Sequence, residues 1–160
     1  MRVGIGEDLH RVEEGRTLVL GGITIEGAAG LAGHSDADVL LHAVTDAVLG
    51  AAGKGDLGTH FPSSDDRWKD ADSRVFLGEA LRMAREDGWS LANVDATVRA
   101  ERPRLASHLG AIRESIAEIA GVEPARVNVK AKSGEGVDAV GRGEAIGATA
   151  AVLLEAAPRG

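Results

Sequence analysis

Apolar residues at the start of the chain alternate with glycine. Val3 and Ile5 flank Gly4 and precede Gly6, and the stretch from Met1 to Asp8 predicts a strand. Thr17–Leu20 and Ile23–Ile25 predict two short strands joined at Gly21-Gly22, a hairpin signal. Gly27 to His34 reads as a loop. A helix is expected to begin at Ser35, because Ser35 and Asp38 form an S-x-x-D capping box and Val39, Leu40, Ala43, Val44, Ala47 and Val48 follow at helical spacing. Gly50 and Gly53 bracket its end. Residues 53–71 are a long irregular stretch rich in Gly, Asp, Ser and Pro, of the kind that forms lids and binding loops.

The pattern resumes at Asp72-Ser73 with a helix through Asp87, closed by Gly88. Leu91 to Ala100 predicts a strand with Val94, Ala96 and Val98 on one face. After Pro103-Arg104 a helix is expected from Leu105 to Ala120, with Leu109, Ile112, Ile116 and Ile119 as its apolar stripe. Val127–Ala131 predicts a strand, Ser133–Gly143 a Gly-rich loop, and Ala145–Leu154 a final strand whose small apolar residues suit a buried position or a subunit interface. This order predicts an α+β fold: a two-layer sandwich with a four-stranded mixed sheet, helices on one face, and a small N-terminal hairpin. One domain spanning residues 1–160 is expected. Too few helices are present to cover both sheet faces, which implies a homo-oligomer.

Composition narrows the chemistry. Aromatic residues make up 2 %, so the core must be built from Ala, Val, Leu and Ile. The net charge of −7, with no basic run, argues against a nucleic-acid partner. No apolar run is long enough to span a membrane and the N-terminus lacks a secretory apolar segment, so no membrane association and a cytoplasmic location are expected. The absence of Cys excludes thiolate nucleophiles and thiolate metal sites. The chain has no P-loop, no complete dinucleotide fingerprint and no G-x-S-x-G elbow.

Asp8 and His10 stand two residues apart on the first strand and so share a face, and His42 lies on the first helix. Together they offer a ligand set for a divalent cation, with a coordination position left open. A solvated strand end and a buried core histidine would account for the same residues. Asp46, one turn after His42, could orient its imidazole. His34-Ser35 at a helix start suits an anion. Asp56-Leu57-Gly58, Phe61-Pro62 and Asp65 place carboxylates and a glycine in the long loop, where turn formation is the alternative explanation. Lys132-Ser133-Gly134-Glu135 offers a cation, a hydroxyl and a carboxylate for a diphosphate and its Mg²⁺. Arg142 and Glu144, set among glycines, could form a structural ion pair.

Several motifs in order carry a family resemblance: Gly4-Ile5-Gly6-Glu7-Asp8-Leu9-His10, Ala32-Gly33-His34-Ser35-Asp36-Ala37-Asp38-Val39, Leu41-His42-Ala43, Gly55-Asp56-Leu57-Gly58, His60-Phe61-Pro62, Ala71-Asp72-Ser73, Asn93-Val94-Asp95, Asn128-Val129-Lys130-Ala131 and Gly141-Arg142-Gly143-Glu144. Over essentially its whole length the chain resembles the 2-C-methyl-D-erythritol 2,4-cyclodiphosphate synthase family of the non-mevalonate isoprenoid pathway. The resemblance implies a homotrimeric lyase that cyclises 4-diphosphocytidyl-2-C-methyl-D-erythritol 2-phosphate and releases CMP. It implies Zn²⁺ on Asp8, His10 and His42, and Mg²⁺ or Mn²⁺ beside Glu135, bridging the diphosphate. His34 and Ser133 would stabilise the transition state. Ser35, Asp56, Leu57, Gly58, Phe61 and Asp65 would bind substrate. Ala100, Pro103, Arg104, Leu105 and Ala106 of a neighbouring subunit, with Lys132, would form the cytidine pocket, and Arg142 would lie near the threefold axis.

Two other classes fit parts of the pattern: a zinc phosphohydrolase using metal-bound water, and a trimeric module that binds isoprenoid diphosphates. Glu7 stands where many members of the resembled family carry an aromatic, and Lys132-Ser133-Gly134 replaces a run usually rich in Thr. Ala139 occupies a position where an aromatic, often Phe, lines that family's central cavity. Without that apolar wall, calorimetry is expected to show no micromolar affinity for farnesyl diphosphate.

Overall fold

The computed structural model describes residues 1–157. Strand β1 (Arg2–Leu20) turns into β2 (Ile23–Leu31), and helix α1 (Val39–Ala52) follows. Next come the short helix α2 (Leu57–His60), helix α3 (Ser73–Glu86), strand β3 (Trp89–Arg99) and helix α4 (Leu109–Ala120). Strand β4 (Val127–Lys132), the short helix α5 (Asp138–Gly141) and strand β5 (Ala145–Ala156) complete the order. The sheet has five strands in the order β2-β1-β5-β3-β4. Only β3 and β4 are parallel, joined through α4; the other neighbours are antiparallel.

The α+β expectation holds, but the expected four-stranded sheet with a separate hairpin does not. β1 runs for 19 residues and belongs to both parts. Its residues Arg2–Arg11 pair with β5, and Val12–Leu20 pair with β2. The charged stretch Arg11–Arg16 hid this continuity. Val12, Glu13 and Thr17 pair with Leu31, Gly30 and Ala29, residues expected to lie in a loop, and register irregularities between Glu13 and Leu18 let the strand bend there.

Along β1, Gly4, Gly6, Asp8 and His10 face the helices, whereas Val3, Ile5 and Leu9 face outward and are 69 %, 68 % and 61 % exposed. The inward glycines set the packing. A Cβ at Gly4 would lie 1.9 Å from the Ala47 carbonyl oxygen, and one at Gly6 would lie 2.0 Å from that of Ala43. The α1 backbone therefore rests directly on β1, an approach only glycine permits. α1 also packs on β5, α3 packs on α1 and β3, and α4 packs on β4. The core between these layers is almost wholly Ala, Val, Leu and Ile.

α1 begins at Val39, not Ser35. Asp38, fully buried, is its N-cap and accepts from the backbone N–H groups of Leu40 and Leu41 at 3.1 and 3.0 Å. The same carboxylate accepts from Gly21 and Gly22 at 2.9 and 2.7 Å. Those glycines form the hairpin turn with φ of 62° and 80°, values that favour glycine. One buried side chain thus ties the helix start to the turn. Burial pushes its pKa up to about 6, against the opposing pull of the N–H groups of Leu41, Gly22 and Gly21. α4 also starts later than its periodicity predicts. Leu105 enters the core through a separate turn closed by the His108 N–H to the Leu105 carbonyl.

No helix of the described residues is long and apolar enough to cross a membrane. Gly6→Ala is expected to destabilise the protein by about 3 kcal/mol in urea unfolding, at the upper end of the usual overpacking penalty, because α1 backbone rather than a mobile side chain must move.

Candidate active site

The face of β1 that carries Gly4 and Gly6 next presents Asp8 and His10. α1, seated on those glycines, brings His42 over them. The ligand atoms of the triad lie within 4.8 Å of one another. Asp8 Oδ2 is 2.8 Å from His10 Nε2 and 2.9 Å from His42 Nδ1, and the two ring nitrogens are 3.2 Å apart. Each imidazole is held from its other nitrogen. His10 Nδ1 donates to the Ala32 carbonyl at 2.5 Å, which leaves the lone pair of its Nε2 in the neutral ring facing Asp8 and His42. His42 Nε2 lies 2.9 Å from Ser73 Oγ and 3.3 Å from Ser35 Oγ. A carboxylate and two imidazole nitrogens crowded so closely require a proton or a cation among them. This donor set fits a divalent cation of the zinc type.

Burial raises the Asp8 pKa, but hydrogen bonds and charge from His10 and His42 outweigh it and hold the carboxyl well below the usual range. Burial likewise works to lower the His10 pKa, and the hydrogen bond and charge of Asp8 overcome it, so His10 titrates above its usual value.

The triad forms one wall of a cleft of about 350 Å³ that is also lined by His34, Ser35, Asp56, Leu57, Gly58 and Phe61, among others. His34 Nε2 donates to the Asp65 carbonyl at 3.1 Å. Asp56 caps α2, and its Oδ1 accepts from the Thr59 N–H and hydroxyl at 2.8 and 2.7 Å. Phe61, Trp68 and Phe76 pack together beside the cleft with ring centroids 4.6 to 5.7 Å apart. The indole N–H of Trp68 is buried and has no partner among the described residues.

A second depression of about 370 Å³ is lined by Ala100, Glu101, Pro103, Arg104, Leu105, Ala106, Lys132, Ser133 and Glu135. Ser133 donates to Glu135 at 2.6 Å, and Glu101 accepts from the Gly134 N–H at 3.1 Å. Strand pairing relates the two places. Leu9 pairs with Gly147, Gly147 with Arg99, and Arg99 with Lys132. The two depressions therefore lie on one row of the sheet, three strand spacings or roughly 14 Å apart. Within one chain Glu135 is not grouped with Asp8, His10 and His42.

Other expected positions differ. Asp46 lines the cleft, but its carboxylate accepts from the Leu57 N–H at 2.6 Å and anchors α2, leaving the orientation of His42 to serines. Burial, and the nearby charges of Asp56 and Asp8, raise the Asp46 pKa against that hydrogen bond. Ser35 accepts from the Ala37 N–H at 3.1 Å and shapes a turn ahead of α1. The free N–H groups of Leu40 and Leu41 are taken by Asp38, so the anion-binding argument at His34-Ser35 loses its helix terminus. The Asp65 carboxylate pairs with Arg67 at 2.6 Å, and Arg142 pairs with Glu144 at 2.9 Å; neither Asp65 nor Arg142 lines the two depressions. Ser73, Asp36, Trp68 and Phe76 were not singled out by sequence. Ser73 and Asp36 had a signal, since both lie in motifs that carry the family resemblance.

The fold and site define an α+β domain with a candidate metal centre of one carboxylate and two imidazoles, two of its ligands on the first strand and one on the first long helix. The model of the YgbB family matches residues 1–155, and the chain belongs to that family. It is 54 % identical to the 2-C-methyl-D-erythritol 2,4-cyclodiphosphate synthase of Bordetella petrii, over 96 % of this chain and 94 % of that one. The structure of a 2C-methyl-D-erythritol-2,4-cyclodiphosphate synthase in its CDP-bound form aligns with a TM-score of 0.89 at 39 % identity, covering 96 % of this chain and 100 % of that one. The bifunctional IspDF of Campylobacter jejuni aligns with a TM-score of 0.93 at 39 % identity over 97 % of this chain, which spans 42 % of that longer protein.

Two opposite pH trends follow from His10. A histidine whose pKa is raised above 6.5 adds stability that is complete below that value and lost as pH rises through the folded pKa. A metal ion must displace the same proton. As pH rises above about 6.5, the ordinary His pKa, the stability of the metal-free protein is expected to fall in urea titrations. Zinc affinity, from chelator competition, is expected to rise with the same increase in pH.

Proposed function

We infer that this protein is a lyase that converts 4-diphosphocytidyl-2-C-methyl-D-erythritol 2-phosphate to 2-C-methyl-D-erythritol 2,4-cyclodiphosphate and CMP. The observation that carries this reading is the convergence of Asp8, His10 and His42 with His34, Ser35 and Asp56 on one cleft, in a chain of the YgbB family. In the reaction an oxygen of the 2-phosphate attacks the β-phosphorus in line. The new P–O bond closes the ring as the bond from the β-phosphorus to the bridging oxygen breaks, and CMP leaves with that oxygen and its electron pair. The substrate supplies its own nucleophile, so the protein's task is positioning and charge stabilisation.

Asp8, His10 and His42 would hold Zn²⁺, which when bound supplies Lewis-acid polarisation of a phosphoryl oxygen. In this reading Glu135 would hold Mg²⁺ or Mn²⁺, which would supply positive charge to the diphosphate. His34 and Ser133 donate to oxygens that gain charge at the transition state. Ser35 and the backbone at Leu57 and Gly58 seat the substrate. Asp56 binds the erythritol hydroxyls, and Phe61 borders the sugar. Asp65 acts through its carbonyl, which fixes His34.

The site is completed in a homotrimer. A neighbouring copy brings its depression at Ala100, Pro103, Arg104, Leu105 and Ala106, with Lys132, Ser133 and Glu135, against the metal cleft to hold cytidine and diphosphate. Two features support this: the separation of the two depressions within one chain, and the exposed apolar stripe of Val3, Ile5 and Leu9 on the helix-free sheet face. Arg142 and Glu144 would then approach the threefold axis. The working unit is a single domain over residues 1–160, of which 158–160 lie outside the described residues, in the cytoplasm, without nucleic-acid or membrane partners.

Phosphorus NMR of the products tests the reaction. A cyclic diphosphate with CMP is expected, whereas an open-chain phosphate with CMP would establish the hydrolase instead. His42→Ala is expected to lower turnover by about 10³-fold, comparable to losing a key electrostatic group. Light scattering should give a species near three times the 16.5 kDa chain mass.

A further inference from the structure

Ser73 is fully buried at the first position of α3, 31 residues from His42 in sequence, yet its Oγ lies 2.9 Å from His42 Nε2. The proposed function gives it no role. Its hydroxyl forms a short hydrogen bond to Asp36 Oδ1, and its backbone N–H donates to Asp36 Oδ2 at 3.0 Å. Asp36 is itself fixed from both sides. Its N–H donates to the Ala71 carbonyl at 3.0 Å, and its Oδ1 accepts from the Asp38 N–H at 3.1 Å.

Donor and acceptor counting then determines the direction of each bond. An ionised carboxylate only accepts, so the Ser73 proton points to Asp36. The Ser73 oxygen is left as an acceptor toward His42, and a hydrogen on His42 Nε2 meets it at the shorter of its two serine contacts, the Ser35 hydroxyl lying 3.3 Å away. A neutral imidazole with a proton on Nε2 has its lone pair on Nδ1, the atom that faces Asp8 and His10.

We propose that Asp36 and Ser73 form a positioning relay that fixes the tautomer and ring orientation of His42 and so completes the metal site. The proposal rests on the reading of Asp8, His10 and His42 as metal ligands. It gives the two symmetric-looking histidines different supports: His10 is set by a backbone carbonyl of the segment after β2, and His42 by a two-residue side-chain chain that joins that segment to α3. Neither Ser73 nor Asp36 touches substrate in this scheme.

The test is zinc titration of the full-length protein against a chromophoric chelator, with imidazole ¹⁵N spectra of the zinc-loaded form. The wild type is expected to bind zinc through His42 Nδ1 and to show a solvent-protected N–H at Nε2. Ser73→Ala is expected to weaken zinc by roughly 10- to 100-fold, as for other partners of metal-bound histidines, and to lose that protected N–H signal. Ser73→Thr, which keeps the hydroxyl, is expected to recover most of the affinity, which a purely structural role at the start of α3 would not require. Asp36→Ala should behave as Ser73→Ala does. Zinc bound through His42 Nε2 in the wild type overturns the relay whether or not the variants fold. Unchanged zinc affinity and an unchanged protected N–H in folded Ser73→Ala also overturn it, while leaving the metal centre intact. A wild type that binds no zinc overturns the metal reading itself, and the relay with it.

Discussion

The structure depends on one close approach. The backbone of α1 rests on Gly4 and Gly6, with no room for a side chain between helix and strand. Because strand residues alternate faces, the residues that follow on the same side are Asp8 and His10. Because Ala43 and Ala47 form the helix side of the contact, His42 is carried to the end of the interface where the glycines give way to Asp8 and His10. Small residues here allow the approach, and the approach gives three ligands from two elements a common centre. A larger residue at Gly6 would act on fold and chemistry together.

Buried polar groups extend this arrangement. Asp38 gathers four N–H groups, two from the hairpin turn and two from the first turn of α1, and so sets the helix relative to the hairpin. Two residues earlier, Asp36 reaches Ser73, whose hydroxyl lies against His42. The two carboxylates of one short segment have different tasks. One orders backbone, and the other aligns a side-chain chain that ends at the candidate metal centre. Asp38 and Ser73 are fully buried, so a partner left unpaired at either would have no solvent to replace the lost bond.

Much of the fold was legible in the chain. The strand at Val3 and Ile5, the turn at Gly21-Gly22, and the helices α1 and α3 follow from periodicity and turn chemistry. Errors cluster where local signals compete. The charged stretch Arg11–Arg16 carries no strand periodicity, yet β2 partners Val12 and Glu13 within it and β1 runs through. Ser35 resembles a helix cap because S-x-x-D is a real capping pattern, yet Asp38 is the residue whose carboxylate reaches the free N–H groups. Of the site, Asp8, His10 and His42 were readable from residue type and spacing. Ser73 was not, because a serine at the start of a helix has an ordinary local explanation.

The sequence by itself determined which elements form, that the core is aliphatic, and which side chains can ligate a cation, because these depend on residue type and short-range period. Only the tertiary structure decided which nitrogen of His10 and of His42 faces Asp8, that Asp46 serves α2 rather than His42, and that the residues around Lys132 lie three strands from Asp8. Those outcomes depend on register and on contacts between residues far apart in the chain, and no local pattern encodes the contact between His42 and Ser73.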